Sequence, residues 1–233
     1  MSPWLVLQMV GLPLAWLALL YGLREPLYGF WRSYLLTWAQ WLQLPLVPAD
    51  IASRQDLLGL SWSPGASDLG LSTTTGAALA AVVVVVAWGL SLRLRGRWLP
   101  AQYLVRVLCV VQALALLYFW FAPMPFPHEL LSHAVDLLDA GYLLMLSIPV
   151  LMALGYYPLQ ISWQAKVVHT LLILMFFGIM VPQQALVHLL ILQHLSVVFM
   201  PVLYLCFGAL FDMMVFVALY AWAASTAPLS ATH

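Results

Sequence analysis

Long apolar runs alternate with short polar segments along most of this chain. The runs cover 4–23, 76–92, 99–121, 142–154 with its flanks, and 167–180. About 20 apolar residues cross the roughly 30 Å hydrocarbon core of a bilayer as a helix, so each run predicts one membrane span. The chain is again apolar from 185 to 222, which is too long for one helix. We therefore expect a sixth span over about 198–222, with a bend at Pro201.

Glutamine, histidine and proline residues interrupt the first part of that last run. They predict a short interfacial or re-entrant helix over 183–196, and a seventh full span is the alternative. The expected fold is an all-α polytopic membrane protein with about six transmembrane helices, in a single integral domain over 1–233.

The segment 24–75 is the longest stretch between predicted spans, and we expect it on the outer side of the membrane. Trp31, Tyr34, Trp38 and Trp41 lie close to one face of a helix, which is typical of an amphipathic helix in the headgroup layer or against a partner. Further along, 56–63 and 68–74 flank a Pro-Gly pair and predict a small hairpin, with an unstructured loop as the alternative.

Composition excludes a soluble domain, because 65% of the residues are hydrophobic and 7% are charged. Soluble domains carry about a quarter charged residues. Eight basic and eight acidic residues give zero formal net charge, so no basic field attracts nucleic acid. The expected partners are the lipid bilayer and a membrane protein or a second copy of the chain.

Cations fix the expected orientation, since short loops rich in Lys and Arg stay in the cytoplasm. Arg93, Arg95 and Arg97 lie together between the second and third spans. Placing that loop inside puts Lys166 and both chain termini in the cytoplasm. We expect an integral protein of the bacterial inner membrane.

The densest polar cluster lies in 125–139, which predicts an outer amphipathic helix. Glu129, His133 and Asp136 fall within about 60° of one another around that helix. Together with His188 and His194 they are a candidate metal or proton site, because carboxylates and imidazoles ligate zinc, iron and manganese. The alternative is a solvated face without ligand. The five-residue step from His128 to His133 excludes an HExxH zinc site, whose histidines are four apart.

Asp212 stands alone in a predicted span, where an acid is costly and normally faces a partner or a wet cavity. Arg106 is the expected partner, in an ion pair that joins two helices, and a proton or ion path is the alternative. No cofactor is predicted. A divalent metal, or haem held by an outer pair such as His133 and His188, is the minority alternative.

The layout of one helix, an outer segment with a hairpin and five further helices resembles accessory membrane proteins found beside envelope protein-sorting enzymes such as exosortases. The resemblance is one of layout, and it implies a non-catalytic subunit or scaffold in envelope protein export or sorting. Two other functions stay open: a membrane enzyme or metal-dependent factor acting through the outer Glu, His and Asp cluster, and a small proton- or ion-coupled transporter.

Overall fold

The computed structural model of the chain describes residues 3–48, 58–62, 73–121, 130–156 and 162–226. They form eight α-helices and two short strands. In chain order the elements are α1 Pro3–Gly22, α2 Arg24–Trp41, β1 Leu46–Pro48, β2 Leu60–Trp62, α3 Thr73–Ser91, α4 Leu99–Phe121, α5 Leu130–Tyr156, α6 Trp163–His194, α7 Met200–Tyr204 and α8 Leu210–Ser225. A π-helical segment, Leu205–Ala209, joins α7 to α8, and single 3-10 turns precede α4 and α7.

Five stretches of the described chain are long and apolar enough to cross a membrane. They are Thr74–Ser91, Gly96–Phe121, Leu130–Tyr156, Trp163–His194 and Val197–Ser225. A shorter apolar helix over Met9–Gly22 lies within α1. The expectation of an all-α membrane protein is confirmed at this level, whereas the sixth span stays a prediction.

Two predicted surface helices are instead parts of long helices. Residues 130–139 are the first turns of α5, and 183–194 are the last turns of α6, which runs through Pro182 without ending. Apolar packing on both sides explains the continuity, since Val181, Pro182 and Ala185 are all buried. At about 1.5 Å per residue, the 32 residues of α6 span about 48 Å. The helix is therefore longer than the hydrocarbon core. Residues 183–194 form no separate re-entrant helix, and the number of spans stays a prediction.

The helices α5 and α6 form the centre of the fold. They are antiparallel, and Gly141 lies so close to Val181 that a Cβ added to the glycine would be 2.5 Å from a Val181 methyl. We call the end where α5 begins and α6 ends the His133 end, and the opposite end the His169 end. The helix α1 packs along α5, where the Tyr142 hydroxyl donates to the Leu20 carbonyl at 3.2 Å.

The helix α2 packs on the protein, which corrects the predicted surface platform. Its buried face comprises Tyr28, Trp31, Leu35 and Ala39. The Trp31 indole N–H donates to the Gly178 carbonyl of α6 at 2.8 Å, in the middle of that helix. Tyr34 is half-buried, and Trp38 and Trp41 are exposed. The aromatic residues of α2 therefore divide between the protein core and the surface.

The strands pair differently from the predicted hairpin. Strand β2 is antiparallel to β1, with Val47 opposite Ser61. Leu46 and Leu60 are buried against the core formed by α2, α5 and α6, so packing onto the helices selects this pairing. Thr73 and Thr74, the end of the predicted second strand, belong to α3. The Pro64-Gly65 turn lies outside the described residues.

Helices α3 and α4 pack mainly against each other. In an apolar stretch of 18 residues from each of these helices, 17% of the residues are buried inside the protein. The corresponding share in α5 and α6 is 44%. The hairpin joins the rest of the protein at the His133 end, where Gly76 contacts Ser196 and the Gln112 amide donates to the Val198 carbonyl at 3.0 Å. Its Arg93–Arg97 loop therefore lies towards the His169 end, as does Lys166 in the first turn of α6.

Candidate functional site

Two buried histidines contact each other between α5 and α6 near the His133 end. His133 Nε2 and His188 Nδ1 are 3.2 Å apart, and the rings stack with centroids separated by 5.4 Å. The Tyr204 ring lies 5.6 Å from the His133 ring. Because both imidazoles are buried, their contact replaces hydrogen bonds that water would otherwise provide.

Local sequence explains the close approach. His133 lies one turn after the start of α5, and His188 lies less than two turns before the end of α6. The small neighbours Ala134 and Ala185 are also buried at this contact. The antiparallel arrangement therefore places two residues that are 55 positions apart at the same depth.

The last span is irregular next to this pair. The π segment breaks the helical path at Gly208, whose φ and ψ are −97° and −115°. The Gln184 side-chain amide donates to the Phe207 carbonyl, and this carbonyl also lies near the His188 ring. Short π-helical segments are frequent at functional sites, because they free backbone groups that a regular helix would pair.

Gln184 also connects to the intramembrane acid. Its side chain interacts with that of Asp212, in the first turn of α8. Arg106 lies elsewhere, with its guanidinium 5.6 Å from the centre of the Trp88 ring. The structure does not form the predicted ion pair between Arg106 and Asp212, because the first contacts Trp88 and the second Gln184. Sequence reasoning identified the acid but missed Gln184 as its partner.

A cavity of about 360 Å³ lies between α6 and the last span, beside the polar groups. Gln183, Gln184 and His188 contribute its polar lining, and residues such as Val187, Phe207 and Phe211 contribute its apolar lining. A mostly apolar cavity with a few convergent polar groups is the usual form of a small-ligand site.

The predicted metal cluster does not assemble within the described chain. Asp136 and His194 are exposed, and Glu129 lies outside the described residues. No group of three or more His, Cys, Asp or Glu side chains converges in the described ranges. The structure therefore brings together two members of the predicted set, His133 and His188.

Haem does not fit this histidine pair. An iron held between two imidazoles separates the ligating nitrogens by about 4 Å, at about 2 Å per metal–nitrogen bond. The observed nitrogens are in direct contact at 3.2 Å, with the rings side by side. A porphyrin plane cannot lie between them in this arrangement.

A second polar cluster lies at the His169 end. His169 Nδ1 is 3.2 Å from the Tyr156 hydroxyl, and its Nε2 is 3.4 Å from the Thr226 hydroxyl. The Tyr220 hydroxyl donates to the Gly155 carbonyl at 2.9 Å. These contacts connect the ends of α5, α6 and α8, so His169 serves as a structural hydrogen-bonding residue.

A third cluster joins α2 to α5. The Tyr28 hydroxyl donates to Asp139 Oδ1 at 2.5 Å, and the Arg24 guanidinium lies over the Tyr28 and Tyr142 rings. Burial, followed by the hydrogen bond to Asp139, raises the pKa of the Tyr28 hydroxyl well above its usual value. The Tyr28 hydroxyl therefore stays protonated as a donor throughout the physiological pH range.

Replacing His188 by leucine is expected to lower the free energy of unfolding by about 1–3 kcal/mol, because it removes the contacts with His133 and with the Phe207 carbonyl. The matched control is His194→Leu, an exposed histidine of the same helix, which should change stability by under about 0.5 kcal/mol. Unfolding titrated with SDS in mixed micelles measures both. Equal effects of the two substitutions would contradict a role for the histidine pair.

Compared with protein-family models, with curated proteins and with solved structures, the chain matches none of them.

Proposed function

We propose that this chain is a non-catalytic subunit of a membrane protein assembly, and that the α3–α4 hairpin faces its partner. The observation that carries the proposal is Arg106, a cation within a membrane-length helix whose charge no described acid neutralises. A buried or lipid-embedded charge is costly unless it is paired, and such residues normally face a partner or a wet cavity.

The surroundings of Arg106 are apolar and aromatic. Its guanidinium contacts the Trp88 ring, and its Nε is buried without a hydrogen-bond partner in the described chain. Of the described acids, Asp139 accepts a hydrogen bond from Tyr28, and Asp212 interacts with Gln184. A cation–π contact at a desolvated site contributes about 2 kcal/mol, which is less than the cost of burying the charge. A carboxylate from a partner helix would supply the missing interaction.

The hairpin is the part of the bundle that is best placed to meet such a partner. Most of its surface is apolar and outward-facing, for example at Val85 and Leu114. Lipid tails can cover this surface but cannot neutralise a guanidinium. Arg106 follows Leu99 by seven residues, about 10 Å along α4. Its side chain could also extend to a lipid phosphate at the membrane surface, and the experiment below separates the two sources.

The proposed location is the bacterial inner membrane, with both termini in the cytoplasm. The Arg93–Arg97 loop and Lys166 lie towards the same end of the bundle, which supports a cytoplasmic His169 end under the positive-inside rule. The proposed pathway is envelope protein export or sorting, and it rests on the resemblance in layout to accessory proteins of sorting enzymes.

Site-specific crosslinking in native membranes tests the proposal. Benzoylphenylalanine placed at Val85 or Leu114 of the hairpin is expected to capture one discrete protein, identified by mass spectrometry. The matched positions Met175 and Ile179 of α6, which are similarly exposed, should give lipid adducts alone. Arg106→Gln should reduce the hairpin adduct at least tenfold, whereas Arg106→Lys should retain most of it because the positive charge remains.

Capture of a second copy of the chain would identify a homo-oligomer and support the proposal. Lipid adducts at all four positions would overturn it. So would a protein adduct that is unchanged in Arg106→Gln, since the cation would then be paired with a lipid phosphate or left unpaired.

A further inference from the structure

Asp212 is a buried acid, and its contacts with α6 leave one carboxylate oxygen without a hydrogen-bond partner in the described chain. Its side chain is 4% exposed and lies in the first turn of α8, inside the span Val197–Ser225. Moving a carboxylate out of water is unfavourable unless a positive charge and hydrogen bonds replace its hydration.

The Gln184 amide connects α6 to the irregular part of the last span. Because the Phe207 carbonyl can only accept a hydrogen bond, it fixes the Gln184 Nε2 group towards the π segment. Asp212 Oδ1 and Gln184 Oε1 are both buried without a hydrogen-bond partner in the described chain. Two buried oxygens thus lack a partner in the same small network.

No protein cation neutralises Asp212 within the described ranges. All Lys and Arg residues except Arg54 are described, and none of these forms an ion pair with it. The hydrogen-bond partner of the nearby His188 is His133. The missing positive charge must come from outside this part of the chain.

The backbone is irregular directly before the helix that carries the acid. The π segment and the non-helical Gly208 interrupt regular carbonyl pairing directly before α8. Interrupted membrane helices bind Na⁺ in this way, through unwound carbonyls and helix ends.

We propose that Asp212 Oδ1, Gln184 Oε1 and backbone carbonyls of the π segment bind a monovalent alkali cation. The charge balance selects the class of ion, because one carboxylate neutralises one positive charge, whereas a divalent ion would leave an excess charge in a low-dielectric site. All the available ligands are oxygens, which suits a hard cation. The 360 Å³ cavity borders Gln184 and Phe207, two residues of the proposed site. This site is independent of the proposed partner of the α3–α4 hairpin.

Thermal unfolding of the purified full chain tests the site with the metal ion alone. Raising NaCl from 1 to 100 mM at pH 8, with choline chloride keeping the ionic strength constant, should raise Tm by about 5 °C if Kd is about 1 mM. The same series with KCl and with LiCl compares the Tm shifts that the three ions cause. Asp212→Asn should abolish the shift, and the exposed-acid control Asp136→Asn should retain it.

Two results would overturn the cation site: no shift with Na⁺, K⁺ or Li⁺, or a shift that persists in Asp212→Asn. If that variant does not fold, infrared difference spectra of the wild-type protein decide the question. Exchange of choline for Na⁺ should then move a carboxylate band. A spectrum that shows a protonated carboxyl group in both salts would assign the missing charge to a proton and overturn the proposal.

Discussion

Replacing Trp31 by alanine is expected to lower the free energy of unfolding by about 3–5 kcal/mol. The indole is fully buried between α2 and α6, so truncation leaves a cavity in the main hydrophobic core. The substitution also removes the hydrogen bond to the Gly178 carbonyl. SDS titration of the purified protein measures the change.

Trp41 provides a matched control on the same helix, since it is 80% exposed. Trp41→Ala should change stability by under about 0.5 kcal/mol in detergent. Trp31→Phe separates packing from hydrogen bonding, because it keeps an aromatic ring and loses the donor. A small effect of Trp31→Ala would show that α2 does not pack on α6 and would restore the surface platform predicted from the sequence.

Adding one methyl group at Gly141 is the second change for which we expect a large effect. A Cβ at this position would overlap the two Val181 methyls at 2.5 and 2.7 Å, so Gly141→Ala should force α5 and α6 apart. Overpacking of this kind costs about 1–3 kcal/mol. It should also separate His133 from His188, because the same helix pair holds both histidines.

Gly89→Ala is the control, since a Cβ there meets nothing within 4 Å. An exposed helical glycine replaced by alanine should stabilise α3 by up to about 1 kcal/mol. The double variant Gly141→Ala/Val181→Ala should recover much of the lost stability, because it removes the methyls that clash. Failure of that rescue would mean that the glycine is needed for another reason.

Hydrophobic periodicity predicted where helices lie but not where they end. Residues 130–139 carry His133, Asp136 and Asp139 among leucines, and a polar stripe of this kind is typical of a surface helix. In the structure Asp139 binds Tyr28 of α2, and His133 binds His188. Both polar groups are paired across helix interfaces, so the stripe is compatible with a continuous span.

The chemistry of the individual residues could not predict which polar side chains contact each other. Asp212 was recognisable as an intramembrane acid, but its contact with Gln184 depends on how α6 lies beside the last span. Gln184 belongs to a polar stretch that predicts an interfacial segment, because Gln183, Gln184 and His188 follow Pro182. A proline inside a buried helix is tolerated where neighbouring helices pack around it, and sequence gives no sign of those neighbours.

The sequence by itself determined the class of this protein, because 65% hydrophobic residues in helix-length runs can satisfy their backbone hydrogen bonds in a membrane only as helices. It also identified the isolated residues for which lipid is an unfavourable environment, including Arg106 and Asp212. Tertiary structure alone decided which groups meet. The close approach of Gly141 to Val181 sets the spacing of α5 and α6, and that spacing brings His133 to His188. Contacts of this kind depend on the relative position and rotation of whole helices, which local periodicity does not specify.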